Sequence, residues 1–249
     1  MAGSIRHACY QLFYGVSILW FGTTGLLFHW APFGWRSRYI TLWNRSIVWA
    51  ARKILHVRVD IQGLEHLPAT ACVIMSKHQS EWETFYLPTQ IQPLCTIMKR
   101  ELLRIPLFGW ALAQLEPIAI DRSSPKEALK KVQASGLERL ASGRHVLVFP
   151  EGTRVAPGEK GRYARSGANL AISAGVPIVP IAHNAGCYWP SGGAKKKPGT
   201  MHFVVGKPFD STGMNAAELT AKVEAWIEAH STALLDSNTT SSSDDNQQG

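Results

Sequence analysis

The chain has 249 residues, of which 45% are hydrophobic, and its 26 Lys plus Arg against 18 Asp plus Glu give a formal net charge of +8. This length suits one substantial α/β domain with an additional segment, and the ample apolar content excludes collagen-like and disordered classes. The four cysteines, Cys9, Cys72, Cys95 and Cys187, are widely separated and form no CxxC or CxxH pair. We therefore expect neither a metal site nor a disulfide framework.

The amino-terminal part of the chain is apolar and basic. The first 59 residues contain no acidic residue, and residues 8–30 contain no Lys, Arg, Asp or Glu. As a helix these 23 residues would reach about 35 Å, enough to cross a hydrocarbon core of about 30 Å. A cleaved signal peptide is the alternative, but the run is longer than a usual signal peptide and no Ala-x-Ala site precedes the basic turn at 35–38. The pattern predicts a membrane-associated segment.

Residues 36–55 interleave apolar and aromatic side chains with Arg45, Arg52 and Lys53, as an interfacial amphipathic helix does. Five of the nine tryptophans lie before residue 50, where an aromatic belt is expected. Glycines and the turn at 31–34 permit a helical hairpin within one leaflet, whereas the length of the first helix permits a full span. Both arrangements place the following domain on the cytoplasmic face, since a span would put the basic cluster after Arg36 in the cytoplasm.

Beyond His56, short apolar runs alternate with helix-like stretches. Strands are predicted at 57–61, 72–75, 96–98, 117–120, 145–149, 178–182 and 202–205, and helices at 125–140, 164–174 and 216–235. The alternation predicts an α/β domain over 56–235, with a mixed, mostly parallel sheet flanked by helices, after membrane-associated helices at 1–55. The polar segment 236–249 has no apolar anchor and is predicted to be disordered.

The segment 76–84 directly follows the predicted strand at 72–75, where α/β sheets bind ligands. It contains His78 and, five residues later on an entering helix, Glu83. Such a carboxylate can hold Nδ1–H of the imidazole and leave Nε2 free as a general base. Glu81 competes for the same role. Because a histidine and a glutamate at this spacing are common in helices, the pair alone is a weak signal.

A second segment, Phe-Pro-Glu-Gly-Thr-Arg at 149–154, also follows a predicted strand. Gly152 lets the backbone approach a ligand, and Arg154 offers a planar donor fork that suits two phosphate oxygens. A tight turn with a solvated arginine is the structural alternative. Three further segments complete the pattern: Lys-Arg-Glu-Leu at 99–102, Pro-Leu-Phe-Gly-Trp at 106–110 and Ile-Asp-Arg at 120–122.

Four blocks, in order, resemble the glycerolipid acyltransferase superfamily and within it the bacterial 1-acylglycerol-3-phosphate acyltransferases. They are the His-x4-acid pair of His78 and Glu83, the Lys-x-Glu-Leu and Pro-x-x-Gly-Trp stretch from Lys99, the segment 149–154, and Val-Pro-Ile-Val-Pro-Ile at 176–181. The resemblance covers roughly residues 50–210. It departs from the family at Glu83, where Asp is usual.

The resemblance implies that His78, oriented by Glu83, deprotonates the free hydroxyl of a lysophosphatidic acid. The oxygen then attacks the thioester of acyl-CoA or acyl-carrier protein, and phosphatidic acid is formed without a cofactor. The implied phosphate site consists of Arg154, Lys99, Arg100, Thr153 and Gly152, with Glu151 and Arg122 as supporting residues. Glu151 is expected to orient Arg154 or a backbone turn. The implied location is the cytoplasmic face of the bacterial inner membrane.

Three other functions are compatible with parts of this pattern. A related acyltransferase acting on glycerol 3-phosphate, another lysophospholipid or a lyso-aminolipid would keep the same phosphate-binding residues. A catalytically silent membrane scaffold would keep the apolar segment. A nucleic-acid binder would use the net positive charge, but the basic residues interleave with membrane-belt aromatics and no nucleic-acid-binding motif is present. We therefore expect no nucleic-acid partner.

Overall fold

A computed structural model describes the backbone of residues 2–244 and the side chains of residues 3–236. It shows an α/β domain built on a seven-stranded sheet. The strands are β1 (Val57–Gln62), β2 (Val73–Ser76), β3 (Leu94–Lys99), β4 (Ile118–Ile120), β5 (His145–Val148), β6 (Ile178–His183) and β7 (Gly199–Val205). All seven lie on apolar runs that the sequence predicted as strands.

The helices include the predicted ones and several short ones that sequence periodicity did not reveal. They are α1 (Ala2–Gly25), α2 (Phe33–Ile54), α3 (Trp82–Gln90), α4 (Phe108–Ala113), α5 (Pro125–Ala141), α6 (Ser166–Ala174), α7 (Ala185–Tyr188) and α8 (Ala216–Asp244), with 3-10 turns at Leu26–Phe28, Leu64–His66 and Arg100–Arg104. Both α4 and α7 are too short to show a repeating apolar face, so their sequences carry no helical signal.

The strand order is β1-β7-β6-β2-β5-β3-β4. Strands β6, β2, β5, β3 and β4 are mutually parallel, β7 runs antiparallel to β6, and β1 pairs parallel with β7. The predicted mixed, mostly parallel sheet is therefore confirmed. The carboxyl ends of the five parallel strands meet at one edge, and the segments that follow them supply every predicted site residue.

Helices cover both faces of the sheet, and the side chains of β2 alternate between the two cores. Ile74 faces the core that α2 and α3 share with the sheet, whereas Val73 and Met75 face the core beneath α5, α6 and α8. All three side chains are fully buried. A strand covered on both faces is apolar throughout, which explains why the sequence before His78 reads as a continuous apolar run.

Helices α1 and α2 form an antiparallel hairpin. The ring of Phe13, early in α1, contacts Trp49 late in α2 at 6.3 Å between centroids, whereas Phe28 beyond the end of α1 contacts Tyr39 early in α2 at 4.9 Å. The two helices thus run in opposite directions along their length, joined by a short turn. This arrangement is the hairpin that the sequence permitted.

The hairpin lies along the α/β domain. Tyr10 packs edge-on against Trp189 at 5.4 Å, and Tyr14 packs edge-on against Phe85 on α3 at 6.1 Å. At Gly22, a Cβ atom would lie 2.7 Å from Cβ of Leu107, so α1 approaches the segment before α4 closely. Because α1 contacts the α/β domain at Tyr10, Tyr14 and Gly22, the helix lies against the domain along most of its length.

The opposite face of the hairpin is apolar and exposed. Its exposed large side chains include Ile5, Leu12, Val16, Leu19, Trp20, Leu27, Trp30, Trp35, Leu42 and Trp49. The segment Gly3–Phe28 is long and apolar enough to cross a membrane by length and composition. An apolar surface of this extent is typical of a membrane or protein contact.

Helix α8 differs from the sequence prediction. The prediction ended the helix at residue 235 and made 236–249 a disordered tail, whereas the structure continues the helix to Asp244. Extending an existing helix adds one hydrogen bond for each residue ordered, so a polar sequence can continue a helix without burying an apolar face. The remaining part of the predicted tail, 245–249, lies outside the described residues.

Candidate active site

The turn after β2 holds His78 through its backbone. The N–H of Lys77 donates to Ile181 O on β6 (3.0 Å), and His78 O accepts from the N–H of Val155 (2.8 Å). The N–H of His78 donates to Oε2 of Glu151 at 2.9 Å. Contacts to β6 on one side and to the segment after β5 on the other therefore fix the position from which the imidazole projects.

Glu83 contacts the imidazole of His78. Oε1 of Glu83 lies 2.8 Å from Nδ1 of His78 and also accepts the backbone N–H groups of Gln79 (2.8 Å) and Ser80 (2.9 Å). Oε2 accepts the hydroxyl of Ser80 at 2.9 Å. The longer Glu side chain thus reaches the imidazole, although Asp is usual at this position in the superfamily that the sequence resembles. The ring of His78 stacks on Phe149 at 4.1 Å, and its Nε2 makes no hydrogen bond with the described residues.

Glu83 is held as a carboxylate. Its side chain is fully buried, and burial alone would raise its pKa, but the hydrogen bonds from His78 and from the N–H of Ser80 outweigh burial and lower the pKa to about 2. A buried carboxylate that stays ionised favours the tautomer of His78 with its proton on Nδ1. The free Nε2 is then the basic nitrogen, and Glu83 stabilises the imidazolium when that nitrogen accepts a proton.

His183 is a buried, neutral residue beside the backbone that precedes His78. Its Nε2 lies 2.8 Å from Lys77 O, which can only accept, and its Nδ1 lies 3.2 Å from the N–H of Ala185, which can only donate. The proton is therefore on Nε2, and burial lowers the pKa of this histidine. His183 positions the backbone before His78.

A buried ion network lies behind the turn that carries His78, and it could not be predicted from the sequence. Nζ of Lys77, whose side chain is 1% exposed, donates to Oε1 of Glu151 (2.7 Å), Oε1 of Glu228 on α8 (2.8 Å) and Glu159 O (3.0 Å). The hydroxyl of Tyr163 donates to the same oxygen of Glu228 at 2.8 Å. The lysine that precedes His78 in sequence thus points away from the active site and ties the turn to the carboxyl-terminal helix.

Glu151 supports the turn and does not orient Arg154. Its two oxygens are taken up by Lys77 and by the N–H of His78. Of the two roles expected from the sequence, the structure shows the backbone one. Gly152, at φ +68°, makes the sharp bend after β5, and its open side would meet no atom within 4 Å of a Cβ. Thr153 is exposed on the same bend.

Arg154 is partly exposed and forms an ion pair. Its Nη1 donates to Oε1 of Glu81 at 2.9 Å, and both side chains are 39% exposed. Glu81 therefore contacts Arg154 and not His78, so the structure resolves the two candidate partners of the histidine in favour of Glu83. The other oxygen of Glu81 accepts from Nε1 of Trp189 at 3.2 Å.

The remaining predicted cations follow the next two strands along the same edge. Lys99 ends β3 and is exposed, and its ammonium makes no ion pair or hydrogen bond with the described residues. Arg100 pairs with Asp121 beyond β4, and Arg122 follows Asp121 in sequence. Since neighbouring strands are about 4.8 Å apart and β5 separates β3 from β2, Lys99 starts about 10 Å from the strand that carries His78. Together with Arg154, these cations lie at or after the ends of β5, β3 and β4, all on one side of β2.

Among residues 3–236, no three His, Cys, Asp or Glu side chains are grouped as metal ligands are. The four cysteines are free thiols, of which Cys72 and Cys95 are buried.

Three comparisons place the chain among known proteins. A family model described as Acyltransferase matches residues 58–184, more than half of the chain. The chain is 46% identical over 231 residues to a 1-acyl-sn-glycerol-3-phosphate acyltransferase of Pseudomonas aeruginosa, covering 90% of this chain and 89% of the relative. It is 35% identical over 127 residues to the human enzyme 1-acyl-sn-glycerol-3-phosphate acyltransferase alpha, covering 50% of this chain and 45% of that one.

The fold is shared with a solved structure. The crystal structure of the 1-acyl-sn-glycerophosphate acyltransferase PlsC of Thermotoga maritima matches with a TM-score of 0.77 at 22% sequence identity, covering 93% of this chain and 97% of the other. The family model and the Pseudomonas relative extend across the strands that carry His78, Lys99 and Arg154. The chain is an enzyme of the acyltransferase family.

Proposed function

We propose that this enzyme transfers an acyl chain to the sn-2 hydroxyl of 1-acyl-sn-glycerol 3-phosphate and forms phosphatidic acid. The observation that carries the proposal is the pair of His78 and Glu83, 2.8 Å apart, with Nε2 free at the sheet edge and cations after β5 and at the end of β3, the next two strands on one side of β2. The names of the Pseudomonas and human relatives agree with this acceptor.

The reaction follows from the free nitrogen of His78. Nε2 accepts the proton of the acceptor hydroxyl while the oxygen attacks the carbonyl carbon of a thioester. The new C–O bond forms, the C–S bond breaks, and the imidazolium returns its proton to the departing thiolate. Glu83 stays ionised and stabilises the imidazolium in between. No acyl-enzyme and no cofactor enter this sequence, because the acceptor itself is the nucleophile.

The acceptor phosphate is expected to bind on the cationic side of His78. Arg154 can exchange the exposed carboxylate of Glu81 for a phosphate at low cost, since exposed ion pairs contribute about 1 kcal/mol or less. Lys99 has no competing partner among the described residues. Charge-assisted contacts from both residues would turn a diffusing lipid into an oriented one.

The hairpin of α1 and α2 is expected to hold the enzyme in one leaflet of the membrane. Since α1 packs against the domain along its length, a full span would bring the polar domain into the bilayer. The exposed apolar face and the absence of acidic residues before Asp60 fit an anionic lipid surface. We place the enzyme on the cytoplasmic face of the bacterial inner membrane, with acyl-CoA or acyl-carrier protein as the donor.

One assay tests the proposed acceptor. Purified full-length enzyme in detergent is given acyl-CoA with one acceptor at a time, namely lysophosphatidic acid, glycerol 3-phosphate, lysophosphatidylethanolamine, a lyso-aminolipid or monoacylglycerol, and products are identified by mass. We expect phosphatidic acid from lysophosphatidic acid to be formed most efficiently. Higher efficiency on glycerol 3-phosphate or on another lysolipid would overturn this choice and leave an acyltransferase of different specificity.

A further inference from the structure

A cationic loop borders the active site on the side opposite the expected acceptor phosphate. Lys195, Lys196 and Lys197 lie between α7 and β7, and residues 160–209 contain no Asp or Glu. In the sheet, this loop connects strands on the β6 side of β2, whereas Lys99 and Arg154 follow strands on the β5 side. In the strand order, the two groups of cations therefore lie on opposite sides of β2, the strand that His78 follows.

Lys196 is positioned by aromatic rings and not by a carboxylate. Its Nζ lies 4.6 Å from the ring centroid of Trp189 and 5.9 Å from that of Tyr10 on α1. It makes no ion pair within the part of the chain that the structure describes. Burial lowers the pKa of Lys196, with Glu81 opposing the shift. A half-buried ammonium held only by π faces leaves its hydrogen-bond donors available to an incoming anion.

The loop is linked to the catalytic turn through a short series of contacts. Lys196 covers Trp189, Nε1 of Trp189 donates to Glu81 at 3.2 Å, and Glu81 pairs with Arg154 at 2.9 Å. Glu81 stands three residues after His78. An anion bound at Lys196 would therefore lie only a few contacts away from the turn that carries His78.

We propose that Lys195, Lys196 and Lys197 form the binding subsite for the phosphate groups of the acyl donor. The inference rests on the proposed function, which requires two anionic substrates. The cations on the β5 side of β2 suit the acceptor phosphate, so the lysines on the β6 side are left for the second substrate. Acyl-CoA and acyl-carrier protein both carry a phosphate on the pantetheine arm that bears the thioester, and lysines at the loop suit that shared group.

The test compares two donors in the full-length enzyme. Lys195→Ala/Lys197→Ala removes two exposed lysines, and Lys207→Ala/Lys222→Ala removes the same charge from exposed positions beyond β7 and on α8. Each protein is assayed in detergent with lysophosphatidic acid and either oleoyl-CoA or S-oleoyl-pantetheine, which lacks phosphate. We expect the first variant to raise KM for oleoyl-CoA about tenfold, at least fivefold more than for the pantetheine donor, whereas the control variant changes neither.

Oleoyl-carrier protein is tested in parallel, and a similar rise in its KM would show that the shared phosphate is the recognised group. Equal changes for oleoyl-CoA and S-oleoyl-pantetheine, or none for either, would overturn the proposal. Calorimetric binding of free CoA separates this inference from the acceptor assignment, because it needs no turnover. A Kd about tenfold weaker in the loop variant supports the subsite, and an unchanged Kd contradicts it even if phosphatidic acid is formed.

Discussion

Glu83 and His78 are joined by a 2.8 Å contact between Oε1 and Nδ1, and the same oxygen accepts two backbone N–H groups of the turn between them. The carboxylate therefore fixes the turn and the imidazole together. A Gln at this position keeps an accepting oxygen but loses the charge that stabilises the imidazolium.

Glu83→Gln is expected to lower kcat on the order of 10- to 1,000-fold, because the negative charge beside the imidazolium is lost. Glu81→Gln is expected to change kcat much less, because Glu81 contacts Arg154 and Trp189 and not the histidine. Steady-state kinetics of the two variants with the same substrates provides the comparison. The reverse ranking would make Glu81 the partner of His78.

Glu83 also predicts how stability depends on pH. Its pKa is lowered from 4.5 to about 2 in the folded enzyme, so the unfolded state binds a proton first as the pH falls. The contribution of Glu83 to stability is present above the unfolded pKa and is lost as the pH falls towards the folded pKa. Urea unfolding in detergent between pH 5 and pH 3 should therefore show a steeper loss of unfolding free energy in the wild type than in Glu83→Gln. Parallel slopes would show that Glu83 is not held ionised by the fold.

Arg154→Ala is expected to reduce efficiency towards lysophosphatidic acid roughly tenfold to a few hundredfold, since each charge-assisted hydrogen bond contributes about 1.5–3 kcal/mol. Its effect on monoacylglycerol, which lacks the phosphate, should be much smaller. Arg154→Lys should restore only part of the loss, because an ammonium has no planar fork. The ratio of kcat/KM for the two acceptors, in each variant and the wild type, isolates the phosphate contact. Equal losses on both acceptors would make Arg154 a structural residue of the 149–154 turn.

The buried network predicts a stability effect far from the substrate. Glu228→Gln leaves the ammonium of Lys77 with a single carboxylate, Glu151, and should lower the unfolding free energy by about 1–3 kcal/mol. Glu224→Gln, on the same helix, breaks the pair of Glu224 with Lys160, whose side chain is 60% exposed, and should change it by less than about 1 kcal/mol. Urea titration of both variants tests the difference. Similar small losses would mean that Lys77 is satisfied without α8.

Membrane association is expected to depend on the exposed face of α1. Leu12→Ser/Leu19→Ser changes side chains that are 70% and 58% exposed, so the fold should be retained while flotation with phosphatidylglycerol vesicles falls. Leu129→Ser, at a side chain 47% exposed on α5, is the control and should float like the wild type. Deleting residues 1–55 is not an equivalent test, because it would remove buried side chains of α2 such as Ile47. Unchanged flotation of the α1 variant would exclude this face as the lipid contact.

Most of the sheet could be predicted from sequence because its signals are local, and the spacing of His78 and Glu83 allowed their contact to be proposed, although the pair alone is a weak signal. Strand β2 is a short apolar run, and His78 and Glu83 stand at a fixed spacing directly after it. The Lys77–Glu228 pair could not be predicted, since 151 residues separate its members and only the packing of α8 brings them together. The ion pair of Arg154 with Glu81, 73 positions away in the sequence, could not be predicted either.

The proposed activity depends most directly on His78 as the general base. His78→Ala, purified in the same detergent as the wild type, should form phosphatidic acid from lysophosphatidic acid and acyl-CoA on the order of 100 to 10,000 times more slowly. Its urea midpoint should stay close to that of the wild type, because the turn is held by the backbone of residue 78 and by Glu151. Near-normal turnover by a well-folded His78→Ala enzyme would remove His78 from the mechanism and contradict the account.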